Sequence, residues 1–156
     1  MISYIFFIFL LVLAVFLSLL ISISDFRHRI IPDIYLFPLM LTGLALNTYY
    51  FYPIGISSAV LGGAFGFILG ALTGKVFEFA QKRNHDSTTP PIGMGDIKLL
   101  GVGGLWLGPW GLSVAIIISC ITGAIWSRVQ RQKYIPFAPF FLFGGILSLI
   151  ACRFLI

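Results

Sequence analysis

Charged residues are scarce in this chain. Asp, Glu, Lys and Arg make up 10% of its 156 residues, whereas hydrophobic residues make up 59%. A soluble domain of this length has too little interior to hide so much apolar surface, so a soluble globular protein is excluded. The composition predicts an integral membrane protein folded as one domain, residues 1–156, with lipid around it and no nucleic-acid partner.

Cysteine is also rare. Only Cys120 and Cys152 occur, and each lies within an apolar run. They form no CxxC pair and have no neighbouring histidine, so neither a zinc site nor a disulfide framework is indicated. We interpret both as small buried apolar residues and predict no metal and no cofactor.

Basic residues are missing ahead of the first apolar run, residues 2–23. A secretory signal peptide begins with such residues, has a shorter apolar region and ends at a small-residue cleavage site. We therefore expect residues 2–23 to remain as a transmembrane helix.

Apolar runs near the 20 residues that a membrane-spanning helix needs recur along the chain. They predict an all-α, polytopic bundle of six transmembrane helices. These helices are expected at residues 2–23, 34–52, 54–79, 96–107, 110–127 and 137–156, with a turn at 108–111. The fourth is short for a full span.

The basic residues predict the orientation of these helices, because Lys and Arg collect on the cytoplasmic side. With the N-terminus outside, the loops after the first, third and fifth helices are cytoplasmic. Those loops hold Arg27, Arg29, Lys82, Arg83, Arg128, Arg131 and Lys133, with Lys75 and Lys98 near the same face. Only Arg153 falls outside, which indicates a multi-pass protein of the cytoplasmic (inner) membrane.

Glycine recurs every four residues in the third predicted helix, at Gly62, Gly66, Gly70 and Gly74. This spacing places the four glycines on one helix face, where helices can pack closely in lipid. The pattern favours packing within the bundle, and a dimer seam is the alternative. The oligomeric state is left open.

Only five acidic residues occur. Structural roles account for three of them: Asp33 as the N-cap of the second helix, Glu78 as an ion-pair partner of Lys82, and Asp86 as a solvated loop residue. Asp25 and Asp96 are harder to explain in this way. Asp25 ends a long uncharged run at a helix C-terminus, where the helix dipole disfavours a negative charge.

Asp96 begins the fourth predicted helix, so an N-cap is its simplest interpretation, but Gly93 and Gly95 precede it closely. The predicted topology puts Asp25 and Asp96 on the same face and at similar depth. Two neighbouring carboxyls in a low dielectric share a proton, and such a pair can activate water as aspartic proteases do. Which of the two would hold the proton stays open.

Three segments resemble the type IV prepilin peptidases, membrane aspartic proteases of the GxGD type. The segment "SDFRHRIIPD" (24–33) resembles the first-aspartate segment of that family. The segment "GMGDIKLLGVGGLWLG" (93–108) resembles the GxGD segment, and "IPFAPFFLFGG" (135–145) resembles a late Ile-Pro-Phe-x-Pro-Phe segment. GxGD alone is a weak motif, but the three together in this order make a specific match over essentially the whole chain.

The resemblance implies that Asp25 and Asp96 are catalytic and that Gly93 and Gly95 are the motif glycines. Lys98 also matches a family position, where snorkelling to a lipid head group is its simplest role. The implied substrate is a prepilin or pseudopilin, cut at the cytoplasmic face to remove a short basic leader. The glycines would leave room for its extended backbone. Many bacterial relatives also N-methylate the product and carry an insert with two CxxC pairs that bind zinc. This chain has no CxxC pair, so we expect methyltransferase activity to be absent here.

A small transporter or channel is the alternative function, with Asp25 and Asp96 as a proton or cation relay. It predicts polar residues spread through the depth of the bundle, whereas the predicted helix centres are almost purely apolar. The sequence leaves open which pilin is cut and in which pathway.

Overall fold

A computed structural model of the chain describes residues 2–49, 54–83, 92–130 and 135–155. These residues form five helices: α1 (Ile2–His28), α2 (Asp33–Leu46), α3 (Ile56–Arg83), α4 (Met94–Gln130) and α5 (Phe137–Leu155). The all-α class is confirmed. Asp86, Arg131 and Lys133, which we predicted in loops, lie outside the described residues.

Three stretches are long and apolar enough to cross a membrane: Ser3–His28, Ile56–Phe79 and Met94–Gln130. The helices α2 and α5 are apolar but shorter. α2 ends at Leu46 rather than at residue 52, because the chain turns at its C-cap, Asn47. The Asn47 amide donates hydrogen bonds to the backbone oxygens of Gly43 and Leu105, at 2.7 and 3.0 Å.

The prediction of six helices is not confirmed, because the expected fourth and fifth helices form the single element α4. The expected turn is nevertheless marked by one non-helical residue, Gly108, with φ 66° and ψ 178°. A Cβ atom built on Gly66 of α3 would meet both the Leu100 carbonyl and the Leu112 side chain. In a straight helix Leu100 and Leu112 would lie about 18 Å apart, so α4 bends sharply at Gly108.

The element α4 lies at the centre of the fold and packs against α2, α3 and α5. The glycine face of α3 lies on it: Cβ atoms built on Gly62, Gly66 and Gly70 would crowd atoms of the first half of α4. Packing within the chain therefore explains the repeat of glycines, as we predicted.

The predicted burial of the cysteines is wrong for Cys120, which is exposed on the surface of the bundle. Cys120 lies in the second half of α4 between the exposed residues Ile117 and Ile121. This face of the helix points outwards, where an apolar thiol can lie against lipid as well as in a protein core. The side chain of Cys152 lies outside the described part of the chain.

Candidate active site

Asp25 lies in the last turn of α1 and is buried, with 5% of its surface exposed. Its Oδ2 accepts a hydrogen bond of 2.7 Å from the backbone N–H of Ala138. Ala138 is in the first turn of α5, where N–H groups have no partner within their own helix. The N-terminus of α5 thus supplies the buried carboxyl with a donor and a favourable dipole, which α1 alone lacks.

Asp96 lies in the first turn of α4, two residues after the helix begins at Met94. It is therefore not the N-cap. Its carboxyl folds back towards Gly93, since a Cβ atom built on Gly93 would lie 3.4 Å from Oδ2 of Asp96. This is the position from which an acidic side chain reaches back to the start of its own helix.

The end of α1 and the start of α4 lie side by side, because Ile31, shortly after Asp25, lies 3.0 Å from a Cβ atom built on Gly95, the residue before Asp96. The charge of Asp25 acts on the carboxyl of Asp96. Burial of the site strengthens that interaction, because a medium of low dielectric constant screens the two charges less than water does. The two carboxyls come from helices that are distant in sequence, the end of α1 and the start of α4.

Residues 29–32 connect α1 to α2 and lie against the start of α4. Arg29 adopts a positive φ of 55° where α1 ends, and Oγ of Ser24 donates a 2.9 Å hydrogen bond to the carbonyl of Ile30. A Cβ atom built on Gly95 would lie 3.0 Å from Cβ of Ile31. Ile31 of this chain therefore occupies the room at Gly95 that we assigned to a substrate backbone.

Lys98 is paired with an acidic side chain of this chain. Its Nζ donates hydrogen bonds to Oδ1 and Oδ2 of Asp33, at 2.9 and 2.7 Å. Asp33 is the first residue of α2, and the N-cap is Pro32, which makes no side-chain capping bond. The predicted capping role of Asp33 is therefore replaced by an ion pair with Lys98.

An apolar cavity of about 250 Å³ begins one helical turn from the site. Its lining includes Ser22, Leu99 and Phe141, each three residues from Asp25, Asp96 or Ala138 on the same helix. Residues three apart share a helix face, so the faces that carry the site continue into this cavity.

Ala138 is the site residue that sequence reasoning missed. A backbone N–H leaves no mark in side-chain chemistry. The usable signal was Pro136 followed by Pro139, since proline before and within the first turn marks a helix start. Within the described residues no group of three His, Cys, Asp or Glu could hold a metal ion.

The apolar helices and the two interacting carboxyls define an α-helical membrane protein with a paired-aspartate site. Residues 4–128 match the model of the Type IV leader peptidase family. The chain therefore belongs to that family, as the three sequence segments indicated. The matched range contains both aspartates and ends before α5.

Curated relatives support the same assignment. The chain is 30% identical over 134 residues to a prepilin leader peptidase/N-methyltransferase of Dickeya chrysanthemi, covering 81% of this chain and 44% of that protein. It is 32% identical over 128 residues to a protein of the same name from Xanthomonas campestris pv. campestris, covering 78% and 42%. A type 4 prepilin-like proteins leader peptide-processing enzyme of Escherichia coli is 29% identical over 131 residues, covering 82% and 46%. The chain thus spans less than half the length of these relatives, and no solved structure matches it.

Proposed function

We propose that this protein is an aspartic endopeptidase that removes the basic leader of prepilins or pseudopilins at the cytoplasmic face of the inner membrane. The observation that carries the proposal is the interaction of Asp25 with Asp96 beside the Ala138 N–H. The family and the names of the relatives support the substrate class. N-methylation of the product is not part of the proposed activity.

The reaction uses the two carboxyls as one acid-base unit. One carboxylate takes a proton from water while the water oxygen bonds to the scissile carbonyl carbon, and the other, protonated, carboxyl polarises the carbonyl oxygen. When the C–N bond breaks, the leaving amine takes up a proton from the pair. Asp25 and Asp96 thus end with the single proton with which they began.

The cavity next to the site supports the proposal that part of the substrate is an apolar segment. The described faces of α1, α4 and α5 lead from the carboxyls into an apolar space lined by Leu99 and Phe141. Helical backbone hides its own peptide groups, so the cut requires an extended stretch next to Asp25 and Asp96.

A relay for protons or cations has less support. Asp25 is the one buried charged side chain within the described ranges. The other buried polar side chains there, Thr42, Asn47, Ser119 and Ser148, donate hydrogen bonds to backbone oxygens. They provide no line of ionisable groups across the bundle.

Co-expression with a prepilin tests the proposal, with leader removal followed on a gel. Asp25→Asn and Asp96→Asn should each abolish cleavage, because an amide can neither take nor supply the proton. Glu78→Gln is the matched control, since it makes the same change at an exposed position of α3, and it should cleave normally. Cleavage by both aspartate variants would refute the aspartic mechanism.

A further inference from the structure

An ion pair joins the two segments that carry the aspartates. Lys98 lies two residues after Asp96 in α4, and its amine binds both carboxylate oxygens of Asp33 at the start of α2. The side chains of Lys98 and Asp33 remain 35% and 47% exposed. The pair therefore lies at the boundary of the bundle, not in its apolar interior.

The stretch of chain between Asp25 and Asp33 is short, and contacts with its surroundings fix its position. Residues 29–32 connect Asp33 to the end of α1. The hydrogen bond from Ser24 to the carbonyl of Ile30 fixes one end of this connection. Ile31 packs against Gly95, directly before Asp96. A shift of Asp33 relative to Lys98 would therefore move the end of α1 relative to the start of α4.

We propose that Asp33 and Lys98 form a positioning pair, which keeps the carboxyls of Asp25 and Asp96 in the relative position that the reaction requires. The inference deepens the proposed function and rests on it. Lys98 is a positioning residue rather than a catalytic one, because Asp33 binds its amine. Partly exposed ion pairs contribute little to stability, so a purely structural role predicts almost no effect on the rate of cleavage.

Kinetics of prepilin cleavage by the purified full-length protein in detergent provide the first test. Asp33→Ala and Lys98→Ala should lower kcat by roughly ten- to a hundredfold, the scale of loss when reacting groups are displaced by about 1 Å. KM should stay unchanged, because no group that binds substrate is removed. Arg128→Ala removes an exposed cation elsewhere and should keep the wild-type rate.

Conservative and exchanged variants separate positioning from simple loss of charge. Asp33→Asn should lose less activity than Asp33→Ala, since an amide oxygen still accepts a hydrogen bond from lysine. The double variant Asp33→Lys with Lys98→Asp should recover most of the kcat that each single reversal loses. A double variant no faster than the single reversals would overturn positioning by this pair.

A second measurement does not depend on cleavage. In a Cys120→Ser, Cys152→Ser background, Ile31→Cys with Gly95→Cys should form a disulfide readily. Their Cβ atoms would start 3.0 Å apart and need to move outwards by only about 0.5 Å to reach the separation found in disulfides. Adding Lys98→Ala should slow its formation, and an unchanged rate would overturn the proposal. If Asp25→Asn still cleaves, the proposed function fails while this crosslinking test of the pair stands on its own.

Discussion

The carboxylate of Asp25 at the end of α1 is hydrogen-bonded to the backbone N–H of Ala138 at the start of α5, at 2.7 Å. The bond joins the first and last described helices at the proposed site. It also gives a buried acid a donor that belongs to the fold and not to another side chain. Substitutions of Ala138 that change only its side chain should therefore leave the hydrogen bond to Asp25 intact.

Ala138→Pro should lower the rate of prepilin cleavage by about ten- to a hundredfold. Proline removes the N–H, and hydrogen bonds to charged groups contribute about 1.5–3 kcal/mol. The first turn of a helix accepts proline, so α5 should still form. Ala138→Gly is the matched control, because it retains the N–H and should cleave at nearly the wild-type rate.

The rates of the two variants at equal protein level decide this prediction. Equal activity of Ala138→Pro and Ala138→Gly would show that the hydrogen bond to Asp25 is unimportant for cleavage.

Gly95→Val should also impair cleavage, because its side chain would collide with Ile31, whose Cβ atom already lies 3.0 Å from a Cβ built on Gly95. The collision would push residues 29–32 away from α4 and separate Asp25 from Asp96. Adding Ile31→Gly removes that Cβ atom and should restore part of the rate. Assay of the single and double variants checks this, and no recovery in the double variant would contradict it.

The sequence alone predicted that Asp25 and Asp96 lie near each other, because the positions of the basic residues constrain which helix ends share a face. It could not assign Asp33 to Lys98, since pairing across α2 and α4 depends on how each helix is rotated about its axis. The prediction of two separate helices, where the structure has the single element α4, was not confirmed for another reason. Gly108 makes the turn in one residue, and Pro109 suits the start of a helix, so the two halves form one element.

Gly108→Ala should lower the free energy of unfolding by about 1–3 kcal/mol, because its φ of 66° and ψ of 178° lie in a region that essentially only glycine adopts. Space is not the obstacle, since the nearest atom to a Cβ there is 3.6 Å away. Gly123→Ala, also in α4 and also with 3.6 Å of room, serves as the control and should be tolerated. Unfolding in detergent, followed by circular dichroism, measures both, and equal stability would contradict the bend at Gly108.

Opposite effects on stability are expected along the glycine face of α3. A Cβ atom at Gly62 would overlap the backbone of Gly104 and Gly108, whereas at Gly74 it would meet only the Ile97 side chain, at 3.6 Å. Gly62→Ala should therefore destabilise the fold by about 1–3 kcal/mol, the usual cost of overpacking. Gly74→Ala should be neutral or stabilising by up to about 1 kcal/mol, since alanine favours helix over glycine.

The same unfolding measurement compares the two alanine variants directly, and each is a control for the helix propensity of the other. If both stabilised the protein equally, the close contact between α3 and α4 at Gly62 would be wrong. If both destabilised it equally, contact along the whole glycine face would be uniform, contrary to the looser packing at Gly74. Only a difference in sign or size along α3 fits a helix that approaches α4 more closely at Gly62, next to the bend at Gly108, than at Gly74.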